Sequence, residues 1–283
     1  MIVKMMSMNL EDVANQKENE LRLQLNRMGQ TIVAFSGGVD SSYLAYVAYQ
    51  ELKQDMVAVL NTSPSLSLRE KDRAMEFLQD NAIPYRIIET NELCDPAYAR
   101  NDEDRCYQCK KSLFVECGKI KNELGWSNIA YGYTADDKDD FRPGQKAASE
   151  YQVWRPLYDV AMTKQEIRVR SKKLGLKSFD RPAQPCLASR LMYGTSVTSN
   201  NLRVVELVED CLIRLGFIQC RARYDGTTVR IEVASNELEK AVRKEIREEL
   251  TRSALNAGAL YVSLDLEGFA SGKTNRMLSK TND

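Results

Sequence analysis

Residues 31–42 read Thr31-Ile32-Val33-Ala34-Phe35-Ser36-Gly37-Gly38-Val39-Asp40-Ser41-Ser42, an apolar, β-branched run that passes through two glycines into an amphipathic, helix-period segment. This stretch constrains the fold more than any other. A strand that turns through adjacent glycines into a helix places the loop at the carboxyl end of the strand, where open α/β sheets bind ligands. Gly37 and Gly38 permit positive φ and close backbone approach, and the hydroxyls of Ser36, Ser41 and Ser42 join the first amides of the helix in facing whatever sits there. A phosphate suits that set of donors. No Lys-Ser/Thr pair follows the glycines, so the loop is not of Walker A type.

Further strand-like runs at 56–60, 85–88 and 128–133 are separated by segments of helical period, the alternation of a doubly wound parallel sheet. Ser67 with Glu70 and Thr163 with Glu166 have capping-box spacing, predicting helices near 68–80 and 164–174. Beyond about residue 195 the rhythm changes. A helix over 201–215 ending at Gly216, a hairpin turning at Asp225-Gly226, a helix over 236–251 and a strand over 259–266 read as a small α+β unit. The expected organisation is therefore an α/β nucleotide domain over 1–193 and an α+β substrate domain over 194–283. Gly268-Phe269-Ala270-Ser271-Gly272-Lys273-Thr274 superficially resembles a second phosphate loop, but it is one residue too short between its glycines and reads as structural. An acidic cluster, Asp136, Asp137, Asp139 and Asp140, follows Gly132.

The 283 residues are 43% hydrophobic and 28% charged, enough for two cores. Forty basic side chains balance forty acidic ones, so there is no global field to attract nucleic acid. The amino terminus is interrupted by Lys4 and then by further charges, and no run of 18 apolar residues occurs, so the expectation is a cytoplasmic protein without membrane partners. Histidine is absent. That excludes His-dependent triads and His-ligated zinc or iron, and passes acid, base, nucleophile and ligand roles to Cys, Asp, Glu, Lys, Tyr and Arg.

Seven cysteines, an odd number without an export signal, point to reduced thiols rather than a disulfide framework. Cys106 and Cys109 open a helix-period segment beside Lys110 and Lys111, and Cys186 lies far off in Arg181-Pro182-Ala183-Gln184-Pro185-Cys186. Helix starts and nearby cations favour thiolates. Three thiolates can hold a [4Fe-4S] cluster with one iron left open, whereas a closed zinc site wants a fourth ligand; helix-start cysteines with no ligand are the remaining alternative. Cys94, Cys117, Cys211 and Cys220 read as packing residues.

Ser36-Gly37-Gly38-Val39-Asp40-Ser41 resembles the signature of the PP-loop ATP pyrophosphatases. The resemblance implies that Ser36, Gly37, Gly38, Asp40, Ser41, Ser42 and Gly132 hold ATP with Mg²⁺ while AMP is transferred to an acceptor. Added to this loop are Gly132 with Phe141-Arg142-Pro143-Gly144, Cys186-Leu187-Ala188-Ser189-Arg190, Tyr193-Gly194-Thr195, and Leu266-Glu267-Gly268-Phe269 with Asn275. With them the whole chain resembles the ATP-dependent sulfur transferases that make the nickel-pincer cofactor of lactate racemase. That likeness implies that a pyridinium dicarboxylate mononucleotide is adenylated at a carboxylate and receives sulfur through Cys186. It implies catalytic roles for Cys186, Glu209 and Arg190, substrate contacts from Ser189, Arg221 and Arg223, and a homo-oligomer. Cys106 and Cys109 beside Cys186 match the three-cysteine subgroup, in which a cluster-bound sulfide is the donor; in other members the cysteine's own sulfur is consumed. The alternatives are a tRNA thiolase, an amidating synthetase, and a nucleotide-binding iron-sulfur carrier that does not turn over.

Overall fold

The computed structural model describes residues 9–139, 144–182 and 184–280, the side chains at 139 and 278–280 excepted. Asp140 and Phe141-Arg142-Pro143 lie outside the described residues. The chain forms two compact units: 1–62 with 68–90 and 109–184, and 63–67 with 91–108 and 185–283.

The first unit is an α/β layer structure. Strands β1 (Thr31–Phe35), β2 (Met56–Asn61), β3 (Tyr85–Ile88) and β4 (Asn128–Tyr131) pair in parallel in the order β3-β2-β1-β4. β1 and the first five residues of β2 are buried throughout. This is why they read as continuous apolar runs rather than alternating ones: helices cover both faces of a parallel sheet. Each fully buried aliphatic side chain, Ile32 and Val33 among them, contributes about 1.5–3 kcal/mol. Phe35 stands opposite Leu60 and Ala34 opposite Tyr131. The order progresses from β1 through β2 to β3 and then returns to the other side of β1, so the carboxyl end of β1 is the switch point of the sheet.

The helices are α1 (Leu10–Met28), α2 (Val39–Leu52), α3 (Leu68–Asp80), α4 (Pro96–Ala99), α5 (Arg105–Leu124), α6 (Gly144–Glu150), α7 (Pro156–Asp159), α8 (Lys164–Lys173), α9 (Ser199–Arg214), α10 (Leu238–Ala241) and α11 (Lys244–Ala257). Helix α8 starts with the capping box expected from Thr163 and Glu166. Helix α1 carries no signal used above, yet its stripe Ala14, Glu18, Leu21, Leu25 is buried. Glu18 interrupts the apolar spacing because it accepts hydrogen bonds from Arg170 at 2.7 Å, Tyr43 at 2.8 Å and Arg22 at 2.9 Å, which satisfy the buried carboxylate.

In the second unit β5 (Cys220–Tyr224) and β6 (Thr228–Val233) form an antiparallel pair, and β7 (Tyr261–Leu264) joins β6 in parallel. The Asp225-Gly226 turn closes the hairpin. Asp225 Oδ1 accepts from the amides of Thr227 and Thr228 at 2.8 and 2.7 Å, and Gly226 sits at φ 98°, a conformation that glycine adopts without a Cβ penalty. The helix expected over 236–251 is two, α10 and α11. Arg243, at φ −59° and ψ 142°, is extended and caps the second, with neither glycine nor proline to announce the break. Among the described residues no helix is long and apolar enough to cross a membrane.

Candidate functional site

At the switch point, Phe35 ends β1, Gly37 turns at φ 75°, and Gly38 is the N-cap of α2 with no side-chain cap on the first amides. An uncapped helix start at the carboxyl end of a parallel strand is an anion cradle. Ser41 Oγ lies 3.0 Å from Ser36 Oγ, accepts from the Ser36 amide at 3.2 Å and donates to the Gly38 carbonyl at 3.2 Å, bracing the loop across its base. The Ser42 hydroxyl is buried and has no hydrogen-bond partner among the described residues. Asp40 stands in the first turn of α2.

Glycine is required at two of these positions for different reasons. A Cβ on Gly37 would lie 2.8 Å from Ala74 Cβ of α3. A Cβ on Gly132, just past β4, would lie 2.8 Å from the Ser41 amide nitrogen. A Cβ on Gly38 would meet only Ser36 Oγ, at 3.5 Å, so that position opens into the mouth of the loop. Cradle and uncapped amides together fit a polyphosphate.

Asp136 and Asp137 of the acidic cluster after Gly132 are tied into the surrounding chain. Asp137, 2% exposed, accepts from the Thr134 amide at 3.0 Å and from Lys164 Nζ at 2.7 Å, and Asp136 accepts from the Lys164 amide at 2.7 Å. Lys273 of the second glycine-lysine element is likewise tied down, to Asp265 at 2.6 Å and Glu267 at 3.0 Å. A Cβ on Gly268 would lie 2.8 Å from the Val233 carbonyl oxygen. That element packs the C-terminal strand region and is not a phosphate loop.

The second unit gathers the remaining site residues around Cys186, which is partly exposed and caps a 3₁₀ turn over Leu187–Arg190. The Cys186 carbonyl accepts from Ser189 Oγ at 2.7 Å, the Ser189 amide at 3.0 Å and Arg190 Nη1 at 3.2 Å. Arg190 forms a two-point pair with Glu209, Nε to Oε1 at 2.9 Å and Nη2 to Oε2 at 3.0 Å, and Glu209 Oε1 also accepts from the Ala222 amide at 3.2 Å. On β5, Arg223 reaches Glu232 at 3.1 Å and the Ser189 carbonyl at 3.0 Å. Arg221 donates to the Cys220 carbonyl at 2.7 Å and lies 5.0 Å from the centre of the Phe269 ring. All five charged groups are at least nine-tenths buried.

Arg190, Arg221 and Arg223 thus share a dry setting with Glu209 and Glu232. Burial, together with the neighbouring Arg190 and Arg223 cations, pushes the Arg221 guanidinium down to about 10 against the pull of Glu209. Burial also pushes Arg223 down, with Glu232 opposing. A bound phosphate or carboxylate would relieve both.

Sequence reasoning missed Asn101 and Arg105. Arg105 Nη1 donates to the Ala188 carbonyl at 2.9 Å and to Asn101 Oδ1, while Asn101 Nδ2 donates to the Met192 and Thr195 carbonyls at 2.8 and 2.9 Å. Asn101 is fully buried at φ 61°; only its tolerance of that conformation marks it in advance. Burial alone pushes Arg105 down, but the charges of Cys186 and Cys106 outweigh it and hold the guanidinium above its ordinary range.

Cys106 and Cys109 stand one turn apart in α5. Among the described residues no three Cys, Asp or Glu side chains are gathered so as to hold a metal ion. Of the three cysteines expected as cluster ligands, Cys109 belongs to the first unit and Cys106 and Cys186 to the second. Cys94 is exposed, so it is not a packing residue, whereas Cys117, Cys211 and Cys220 are buried as expected.

No family model matches the chain. It is 30% identical over 265 residues to the pyridinium-3,5-bisthiocarboxylic acid mononucleotide synthase of Lactiplantibacillus plantarum, covering 93% of this chain and 95% of that one. It is 40% identical over 264 residues to an uncharacterized protein of Synechocystis sp., covering 93% and 98%. A glutamine-hydrolyzing GMP synthase component of Thermoplasma acidophilum matches at 25% over 72% of this chain and 70% of that one. A probable tRNA sulfurtransferase of Methanosarcina mazei also matches at 25%, over 59% of this chain and 44% of that one. The parallel sheet, its Gly-Gly cradle and these relatives define a PP-loop ATP pyrophosphatase. Within that class the chain belongs to the family of the Lactiplantibacillus synthase.

Proposed function

We propose that this protein is an ATP-dependent sulfur transferase that adenylates a carboxylate of a pyridinium dicarboxylate mononucleotide, releases pyrophosphate and inserts sulfur to give a thiocarboxylate for nickel-pincer cofactor synthesis. The observation that carries the reading is the buried cluster of Arg190, Arg221 and Arg223 around the Cys186 turn, in a chain aligned over nearly its full length with the pyridinium synthase. A mononucleotide bearing carboxylates and a phosphate is the anion such a cluster suits. RNA is not called for, because the C-terminal helices mix Glu237, Glu239 and Glu245 with Lys240, Arg243 and Lys244 rather than presenting a run of basic residues.

The substrate carboxylate attacks the α-phosphorus of ATP, and pyrophosphate departs. The uncapped amides of α2 with Ser36 and Ser41 stabilise the charge that develops on that leaving group, which is where stabilisation lowers the barrier. Asp40, in the first turn of α2, would hold the Mg²⁺ of the nucleotide, and the ion would supply further charge compensation. The Cys186 thiolate then attacks the acyl-adenylate carbon and AMP leaves with the electron pair, giving a thioester. Loss of the Cys186 Cα proton to a base and cleavage of its Cβ–S bond release the thiocarboxylate and leave dehydroalanine, so that the sulfur inserted is the cysteine's own. Ser189, Arg221 and Arg223 hold the substrate, Arg190 fixes the Cys186 carbonyl, and Glu209 holds Arg190. Cys106, Cys109 and Cys186 are the residues that would hold the alternative donor, a [4Fe-4S] cluster that would supply its own sulfide.

Intact-mass analysis after one anaerobic turnover tests the sulfur source. The chain should lose about 34 Da, the mass of H₂S, at Cys186. Sulfur inserted with the mass unchanged would move the donor to a sulfide held by Cys106, Cys109 and Cys186.

A further inference from the structure

The phosphate loop is held from outside by a residue that neither the loop motif nor the cysteine chemistry involves. Arg181, in the segment after α8, donates from Nη1 to the Gly37 carbonyl at 3.0 Å and from Nη2 to Glu70 Oε2 at 2.7 Å. Glu70 is in the first turn of α3, the helix whose Ala74 faces the missing Cβ of Gly37. Arg181 is itself braced: Arg168 of α8 donates to the carbonyls of Phe179 and Arg181, both at 2.7 Å. One guanidinium therefore clamps the loop to α3.

The Gly37 carbonyl and the Gly38 amide are the two ends of one planar trans peptide and point in opposite directions. Glycine on both sides leaves this peptide freer to rotate than any other in the loop. Turned over, it would present a carbonyl oxygen to an incoming phosphate and lose a donor from the cradle. A charged donor fixed on the carbonyl forbids that turn and aims the Gly38 N–H away from Arg181. We infer that Arg181 is a positioning residue for pyrophosphate recognition, acting through the Gly37–Gly38 peptide with Glu70 holding it in place. This rests on the phosphate-cradle reading above.

The test is calorimetric titration of the full-length protein with inorganic pyrophosphate and Mg²⁺, which needs no sulfur-transfer substrate. Arg181→Ala should bind about tenfold more weakly, as expected for one hydrogen bond from a charged donor. Guanidinium chloride at low millimolar concentration should recover much of the loss, a rescue that general loosening of the fold would not give. Arg181→Met, which keeps the aliphatic stem, carries the same expectation should the alanine variant fold poorly. A loss below about threefold in a folded variant, or one that guanidinium leaves untouched, overturns the inference and leaves the cradle reading standing. Wild-type protein that does not bind pyrophosphate at all overturns the cradle and the inference together.

Discussion

Replacing Gly132 by alanine would place a methyl carbon 2.8 Å from the Ser41 amide nitrogen and 3.0 Å from Ser41 Cα. Ordinary contact begins near 3.5 Å, so the end of β4 and the first turn of α2 must separate by roughly 0.7 Å. The obstruction is backbone and cannot rotate away. Its φ is outside the left-handed region, so the whole effect is steric. Over-packing of this kind costs about 1–3 kcal/mol, read as a lower urea midpoint at unchanged slope. Because the displaced atoms are the Ser41 amide and its neighbours, the variant should also lose the stabilisation that MgATP gives the wild type. Gly118→Ala is the control. Gly118 is within α5 with nothing inside 4 Å of the added carbon, so it should gain about 0.5–1 kcal/mol from helix propensity and keep the MgATP effect. Gly132→Ala with wild-type stability and an intact MgATP shift would refute the close approach of β4 to the loop.

Two further outcomes follow from buried charges and thiols. Burial pushes the Glu18 carboxyl up, but hydrogen bonds from Arg170, Tyr43 and Arg22 outweigh it and hold it below the ordinary range; Glu166 is held down likewise by Lys17 and Thr163. Groups depressed in the folded state stabilise it fully above their unfolded values and lose that contribution as pH falls through the folded ones. The urea midpoint should therefore fall below about pH 4.5, and Glu18→Gln should flatten part of that slope. For the cysteines, burial pushes Cys117 up to about 12, and Cys211 and Cys220 are also buried. Native alkylation at pH 8 followed by peptide mapping should modify Cys94 and Cys106 and spare those three; modification of Cys117 before unfolding would contradict the packing of α5.

Much of the nucleotide unit is legible in the residues because its signals are local. Strand β1, the glycine turn and the capping box of α8 each need only a short window. So does the Asp225-Gly226 turn, whose side chain folds onto its own backbone. Helix α1 was harder to read because Glu18 occupies its buried stripe, and a carboxylate there makes sense only with Arg170, 152 residues away, in view. The same holds for the two units. Residues 63–67 and 91–108 join the C-terminal unit across the chain order. They do so through contacts such as the Leu187 amide on the Ser65 carbonyl at 2.8 Å, which no periodicity encodes. Arg181 and Arg105 were missed for this reason, since each acts on a carbonyl far away in sequence. The aspartates after Gly132 stand out by composition alone, and two of them cap the start of α8 and the Thr134 turn.

The central claim is that activation at the loop drives sulfur into the product. Purified protein incubated anaerobically with MgATP and pyridinium dicarboxylate mononucleotide should release one pyrophosphate per thiocarboxylate formed, with product and pyrophosphate quantified in the same single-turnover sample. Release of pyrophosphate that requires the mononucleotide and matches the thiocarboxylate in amount is the predicted result. Thiocarboxylate without pyrophosphate, or no pyrophosphate from ATP and the mononucleotide under any condition that preserves the fold, would contradict it.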